Sequence, residues 1–376
     1  MGRPKGNLRS SDKTKPLPQS ASKPKAPSSK PTNKQANSAK LDDGSENDHP
    51  VRVSIAQRKA YQQKVLNTFQ GFFNSVLSSE NFTTILQEVK TALFNRDFDK
   101  AFGNEEYNEA YAARWSPTRA LCYASVLDGI RPHLDELSRT KKAEDDAEVD
   151  NEANLRVVAI GGAAAEIVAF GSYLGQQDPP LSSSIALLDV APWAGVVEKL
   201  RAGLATPPQI SKYASAAIQA ANTPIADLDR LAGVTFKQTD VLSLKKEEVS
   251  SLVGSTQPVL ITLLFTLNEL FTVGGMGKTT SFLLNLTQTV PAGSLLLVID
   301  SPGSYSEATV GKESKRYPMQ WLLDKILLET TGAWEKVESE ESVWFRLSQD
   351  LEYPIPLEDM RYQMHLYRSC GKDDTG

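Results

Sequence analysis

Cysteine and histidine are scarce in this chain, two and three residues among 376. Cys122 and Cys370 form no CxxC pair, which argues against a disulfide framework and, with so few histidines, against a zinc centre. No metal is expected. Long hydrophobic runs are also missing. The longest, residues 259–271, is interrupted by Thr, Asn and Glu and is too short to cross a bilayer, so no membrane partner is expected. The first residues lack the apolar centre of a secretory signal, which predicts a reducing intracellular compartment. Acid is nearly absent from residues 1–40, where Asp12 stands alone among many Lys and Arg. Because the formal net charge is −5, the remainder must be decidedly acidic. A basic tail on an acidic body suits an appendage that meets a polyanion or a transport receptor, or equally a solvated leader with no partner.

What is present divides into three parts. Residues 1–50 are Lys, Pro, Ser, Asn and Gln almost without large apolar side chains, and a disordered basic tail is predicted. Residues 51–150 read as a helical extension ending in an acidic loop. Ile55, Tyr61, Val65, Leu66, Phe69, Phe72, Phe73, Val76 and Leu77 recur mostly at three- and four-residue steps, the pattern of one helix with a strong apolar face. Asn81 or Thr83 would cap a second helix. Ser116-Pro117 marks another start, with Ser as cap and Pro in the first turn. Arg114, Trp115 and Arg119 flank it, either as a substrate or cofactor edge or as a core Trp beside arginines paired with carboxylates. Residues 141–154 read as a charged, mobile insertion.

Residues 151–370 alternate strand and helix signals. The organising stretch is LRVVAIGGAAAEIVAF at 155–170: an apolar strand, two glycines, small residues, then a helix with Glu166 in its first turn. Gly161, Gly162 and Ala163 would let backbone N–H groups and a helix N-terminus approach a ligand. A second strand at 185–188 ends in Asp189, where such folds hydrogen-bond a ribose; the same residue would serve as the cap of the next helix. A short third strand at 234–236 leads to Asp240, suited to an adenine amino group or to ordinary turn chemistry. The fourth, 259–265, is a continuous apolar run of the kind buried on both faces of a parallel sheet, and Thr266, Asn268 and Glu269 follow at its ligand edge. With a fifth strand at 295–299, helical spacing at 321–328 and a closing antiparallel pair at 344–347 and 364–367, the prediction is an α/β, seven-stranded, doubly wound sheet of Rossmann-like type.

Two nucleotide motifs fail on inspection. GGMGKTT at 274–280 resembles a P-loop, but the glycine required five residues before Gly277 is Thr272. The glycines are read instead as a flexible loop, with Lys278 opening a helix over 281–286. G-x-G-x-x-G would need glycine at 163 and 166, where Ala163 and Glu166 stand, which disfavours a nicotinamide cofactor. S-adenosylmethionine fits better, since it has no pyrophosphate to cradle and needs a close turn, an acid for its ribose and a pocket for adenine.

Taken together, IGGAAAE at 160–166, LLDVAPW at 187–193, LFTLNELF at 264–271, KTT at 278–280 and IDSPGSYSE at 299–307 resemble the fungal 25S rRNA uridine-N3 methyltransferases. YAARWSPTRAL at 111–121 and MRYQMHLYR at 360–368 are similar to that family as well. Its first loop has the form GGGAGAE, so Ala163 and Ala165 replace two glycines, and a left-handed backbone there would be strained.

The resemblance implies a class I S-adenosylmethionine-dependent fold and methyl transfer to N3 of a uridine in large-subunit rRNA, free or in a pre-ribosome, by a monomer in the nucleus, nucleolus or cytoplasm. Glu269 becomes the base or orienter for the N3 proton and Asn268 the holder of the uracil edge. Gly161, Gly162, Ala163, Glu166, Asp189, Asp240 and Thr266 become the cofactor set. Arg114, Arg119, Lys278 and Arg316 are assigned to RNA phosphates and Tyr317 to base stacking, as Trp321 also could be. A non-catalytic assembly factor and a small-molecule methyltransferase are the alternatives.

Overall fold

The computed structural model describes residues 55–139, 154–254, 256–303, 305–310 and 313–371, with main chain only at 221, 305–310 and 313–316. The basic tail and residues 141–153 of the charged insertion lie outside these residues. Seven helices come first: α1 (Ile55–Phe72), α2 (Asn74–Leu77), α3 (Phe82–Phe94), α4 (Phe98–Phe102), α5 (Glu105–Arg114), α6 (Ser116–Gly129) and α7 (Arg131–Ser138). The single helix expected over 55–77 is broken at Phe73, whose fully buried ring pulls the chain out of helical geometry between α1 and α2. Ile55, counted on the apolar face, is exposed. Asn81 occupies the N-cap of α3 without a side-chain bond. Ser116 is not a cap: Trp115 holds that position and Ser116 already lies inside α6, because α5 and α6 follow each other with one residue between.

The sheet has nine strands' worth of chain around it, seven of them paired together. These are β1 (Asn154–Ile160), β2 (Ser182–Asp189), β3 (Val234–Gln238), β4 (Leu260–Leu264), β5 (Leu295–Asp300), β8 (Trp334–Phe345) and β9 (Met360–Ser369), while β6 (Tyr305–Val310) and β7 (Glu313–Pro318) form a separate hairpin. The order is β3-β2-β1-β4-β5-β9-β8, parallel through β5 and antiparallel at β9 and β8. Ile160 stands beside Leu188 on one side and Leu263 on the other, so the ends of β1, β2 and β4 share one edge.

Side chains alternate across this sheet with the two-residue period of strands. Leu155, Val157, Ala159, Ile185, Leu187, Leu295 and Leu297 face a core shared with α1, α6, α8 (Ala164–Gly175) and α9 (Ala194–Leu204). Val158, Ile160, Leu188, Ile261, Leu263 and Leu296 face the other core. That second core takes in α11 (Lys246–Val253), α13 (Gly275–Thr289) and α14 (Met319–Asp324). The short α10 (Ala216–Ala221) and the turn α12 (Leu267–Glu269) complete the count used below. Strands covered on both faces must be apolar throughout, which is why they read as continuous runs. Because α6 packs along α8, the helical extension lies directly on the sheet's own helices.

Two expectations need correction beyond the helix starts. The glycines at 274–277 are not a flexible loop. A π turn over Leu270–Gly274 delivers the chain straight into α13, which begins at Gly275 (φ 73°) rather than near Ser281. A Cβ on Gly274 would sit 2.1 Å from Leu242 Cδ1, and buried Thr279 ties the two segments together by donating to Leu270 O at 2.7 Å. Close packing accounts for Gly274 and a positive φ for Gly275, while Gly277 has open space around it. The terminal pair is also longer than expected, and Arg346 and Leu347 fall outside β8.

Candidate active site

The cleft is built from the turns that follow β1, β2 and β4. Gly161 has φ 67°, and a side chain there would put its Cβ 2.2 Å from Thr266 Oγ1. Only glycine lets the β1 turn come this close to the tip of β4. The amides of Gly161 and Gly162 donate to Leu188 O at 2.8 and 3.2 Å, fixing the turn against β2. Ala163 has φ −147° and Ala165 lies within α8, so neither alanine occupies left-handed backbone. Every residue from Ala164 to Leu174 is buried, and small side chains are what such a helix needs. Left-handed backbone, the source of strain expected at the two replaced glycines, does not occur there.

Three carboxylates line the cleft together with Gly161, Ala163 and Thr266. Glu166 accepts the N–H of Ala163 through Oε2 at 2.8 Å, and burial raises its pKa to about 7. Asp189 accepts the N–H of Ala191 through Oδ1 at 2.7 Å and also bonds Trp193; burial raises its pKa to about 6. It braces the turn after β2 rather than capping α9, whose N-cap is Trp193. Burial, and then the charge of Asp189, raise Glu269 to about 7. Thr266 donates to Ile160 O at 3.1 Å, stitching β4 to β1. Beside it, Phe265 takes φ 61°, a conformation uncommon for a bulky residue and typical of strain held at a functional site.

The helical extension supplies the opposite wall. Phe102, Tyr111, Ser116, Arg119 and Tyr123 line the cleft alongside Trp193. The Arg119 guanidinium lies 5.1 Å from the Phe265 ring centroid and 5.4 Å from that of Tyr111, and it donates to the Tyr111 hydroxyl. Sequence reasoning missed the aromatic part of this wall, because helical spacing gives Phe102, Tyr111 and Tyr123 the look of ordinary core. The one available signal was YAARWSPTRAL, already marked as a possible cofactor edge.

Other predicted residues lie elsewhere. Asn268 is next to the cleft; its N–H donates to Asp300 Oδ2 at 3.3 Å, and its Oδ1 accepts from Thr272 at 3.2 Å. Asp240 is exposed and its carboxylate accepts the N–H of Leu242 at 2.9 Å, the turn-chemistry alternative. Arg114 pairs with Glu358 at 2.7 Å. Lys278 is exposed in the first turns of α13. Tyr317 stacks on Trp321, ring centroids 5.2 Å apart and planes 16° from parallel, and Trp321 is 46% exposed. Arg316 lies on β7, where only main chain is described. Behind Asn268 a polar chain, buried at Asp300, Gln363 and His365, crosses the sheet. The Ser301 N–H donates to Asp300 Oδ1 at 2.7 Å, and Gln363 donates to Ser301 O at 2.8 Å. Gln363 Oε1 then faces His365 Nε2 at 3.2 Å, and Ser339 meets His365 Nδ1 at 2.9 Å. Burial lowers His365 to about 4, so it is neutral, with the proton on Nε2 and the Ser339 hydroxyl donating to Nδ1.

This inventory fits S-adenosylmethionine. A tight turn meets the end of an acid-tipped β2, and carboxylates stand ready for a sulfonium and an ammonium. Among the described residues no cluster of metal-ligating side chains is found and no helix is long and apolar enough to cross a membrane.

Residues 69–368 match the family described as "Putative SAM-dependent methyltransferase". The chain is 34% identical over 309 residues to the 25S rRNA (uridine(2843)-N(3))-methyltransferase of Saccharomyces cerevisiae, covering 76% of this chain and 77% of that one. Solved structures that align include an O-methyltransferase family protein from Burkholderia thailandensis, at 12% identity and TM-score 0.34 over 78% of this chain and 74% of that one. The 16S rRNA (adenine(1408)-N(1))-methyltransferase from Catenulisporales acidiphilia aligns at 10% identity and TM-score 0.34 over 59% of this chain and 88% of that one. The glycine turn, the acid-tipped second strand and the match over most of the chain lead to one conclusion: this chain belongs to the S-adenosylmethionine-dependent methyltransferase family that includes the yeast 25S rRNA enzyme.

Proposed function

We propose that the chain methylates N3 of a uridine in large-subunit rRNA. The observation that carries this reading is Glu269, a half-buried carboxylate raised to about 7, in the same cleft as Gly161, Thr266 and Asp189. When bound, S-adenosylmethionine supplies an electrophilic methyl group on a sulfonium sulfur. The N3 position carries a weakly acidic imide proton, and Glu269 would accept it as the methyl passes from sulfur to N3, the S–CH3 bonding pair staying on sulfur in S-adenosylhomocysteine; a pKa near working pH is what a general base requires. Asn268 keeps its carboxamide NH₂ to offer a uracil carbonyl. Buried Asp300 holds that residue by its backbone and half-buried Thr272 by its Oδ1, which sets its approach to the base. Asp189 holds the ribose, and the turn at Gly161, Gly162 and Ala163 lets the cofactor lie against the end of the sheet.

N3 lies on the pairing edge, so the uridine reacts unpaired or flipped. Trp321 on Tyr317 offers a stacking face, and Lys278 and Arg316 supply charge for phosphates. We further propose that the substrate is large-subunit rRNA, free or in a pre-ribosome, that the chain acts as a monomer, and that it works in the nucleus, nucleolus or cytoplasm. The non-catalytic alternative is weakened, since neither Ala163 nor Ala165 occupies left-handed backbone.

The test is methyl transfer from labelled S-adenosylmethionine to large-subunit rRNA that lacks its own modification. Label recovered as N3-methyluridine is expected, and Glu269→Gln should lower turnover by about 100-fold or more with cofactor affinity nearly unchanged. Full turnover and an unaltered pH profile in that variant would refute the base assignment. Label on another base or position would refute the uridine reading.

A further inference from the structure

Arg119 is the one cationic side chain among those lining the cleft, and it comes from α6 of the extension rather than from the sheet. Its single hydrogen bond among the described residues goes to the Tyr111 hydroxyl. Glu166 acts on it as a nearby charge, without an ion-pair contact. A guanidinium cannot shed its proton in a protein, so one enclosed by two aromatic rings without a bonded carboxylate calls for an anion from outside the chain. This position also removes it from the phosphate role expected of it: it lies within the cleft, walled by Phe265 and Tyr111.

The direction in which a cofactor must lie follows from the sheet. β1 stands between β2 and β4. Asp189 ends β2, the position that meets a ribose, whereas Arg119 stacks over Phe265 at the end of β4. A ligand with its ribose beside Asp189 and its body across the Gly161 turn therefore directs its other end toward Phe265. In S-adenosylmethionine that end is an amino acid, and its carboxylate matches a planar guanidinium fork in charge and geometry.

We propose that Arg119 anchors the methionine carboxylate of the cofactor, which makes the helical extension a working part of the cofactor site. Tyr111 and Phe265 hold the guanidinium flat, so its orientation is prepared before the ligand arrives. This rests on the cofactor and not on the RNA substrate, so its failure would leave the uridine reading standing.

The test compares two ligands by calorimetry on the full chain: S-adenosylhomocysteine, which carries the amino-acid end, and 5′-methylthioadenosine, which lacks it. Arg119→Met should weaken S-adenosylhomocysteine by about 30-fold or more, and Arg119→Lys by less, because a point charge replaces a fork. Methylthioadenosine affinity should change less than about threefold in both. Equal losses for both ligands, or none for either, would overturn the proposal. Should the variants not fold, the wild-type chain still decides: removing the carboxylate from S-adenosylhomocysteine, with the amine kept, should cost a similar factor, and undiminished binding would overturn it.

Discussion

Gly161→Ala isolates the demand that the fold makes on its central turn. At φ 67° an alanine pays about 1–2 kcal/mol for left-handed backbone. Its Cβ would stand 2.2 Å from Thr266 Oγ1 and 2.6 Å from Thr266 Cγ2, so that side chain must rotate. Rotation gives up the Thr266 bond to Ile160 O, about 1 kcal/mol for a hydrogen bond lost from a buried site. Reduced freedom of the unfolded chain returns about 0.4–1 kcal/mol. The net expectation is roughly 1–3 kcal/mol of destabilisation, read as a lower urea midpoint at unchanged slope, with weaker S-adenosylhomocysteine binding in calorimetry. The paired control is Ala165→Gly, which restores a glycine of the family pattern. Inside α8 it should cost about 0.5–1 kcal/mol and tighten nothing. If Gly161→Ala matches wild type within about 0.5 kcal/mol, or if Ala165→Gly strengthens cofactor binding, the assignment of the required glycine is wrong.

Two further outcomes follow from the cleft and its rim. Glu166 and Glu269 at about 7 and Asp189 at about 6 hold protons in the folded chain that the unfolded chain releases near pH 4–5. Their contribution to stability is therefore fully present at low pH and is lost as pH rises from about 4 to 7. A cationic cofactor favours the ionised forms, so binding at pH 6.5 should release roughly half a proton or more, measured by calorimetry in buffers of different ionisation enthalpy; proton uptake would contradict this. At the rim, Trp321→Leu should weaken single-stranded RNA about tenfold in fluorescence anisotropy while Trp321→Phe stays near wild type; equal affinity of all three would remove Trp321 from the RNA face.

The doubly wound sheet was legible because strands covered on both faces have to be almost wholly apolar, and residues 157–160, 185–188, 260–264 (Thr262 apart) and 295–299 are. β8 was half hidden for the opposite reason: it is an edge strand, and Glu335, Glu338, Glu340 and Glu341 give it the polar look that keeps edges from pairing with other chains. The hairpin of β6 and β7 has no continuous apolar run in its sequence to announce it. Gly161, Asp189, Thr266 and Glu269 line one cleft, a grouping legible in the sequence because the ends of parallel strands share one edge. Arg119 reads in the sequence both as a cofactor edge and as a phosphate contact, and nothing local chooses between them, since nothing local says that α6 lies on α8. Asp300, Gln363 and His365 went unassigned as a group because their link crosses the sheet.

The position of β9 has a bearing on how the protein is made. It is the last sheet strand in sequence, yet it lies between β5 and β8, with Leu366 and Tyr367 fully buried. The loop before it reaches back to α1, where the Ser348 N–H meets Gln62 at 3.1 Å and the Glu352 N–H meets Gln63 at 2.8 Å. During synthesis the flank of β5 therefore stays open until residue 369 has left the ribosome, and a long-range contact closes the first helix against nearly the last loop. A nascent chain of this protein is a sheet waiting for its final strand, with the Leu295–Asp300 edge exposed to mispairing or to chaperones until then.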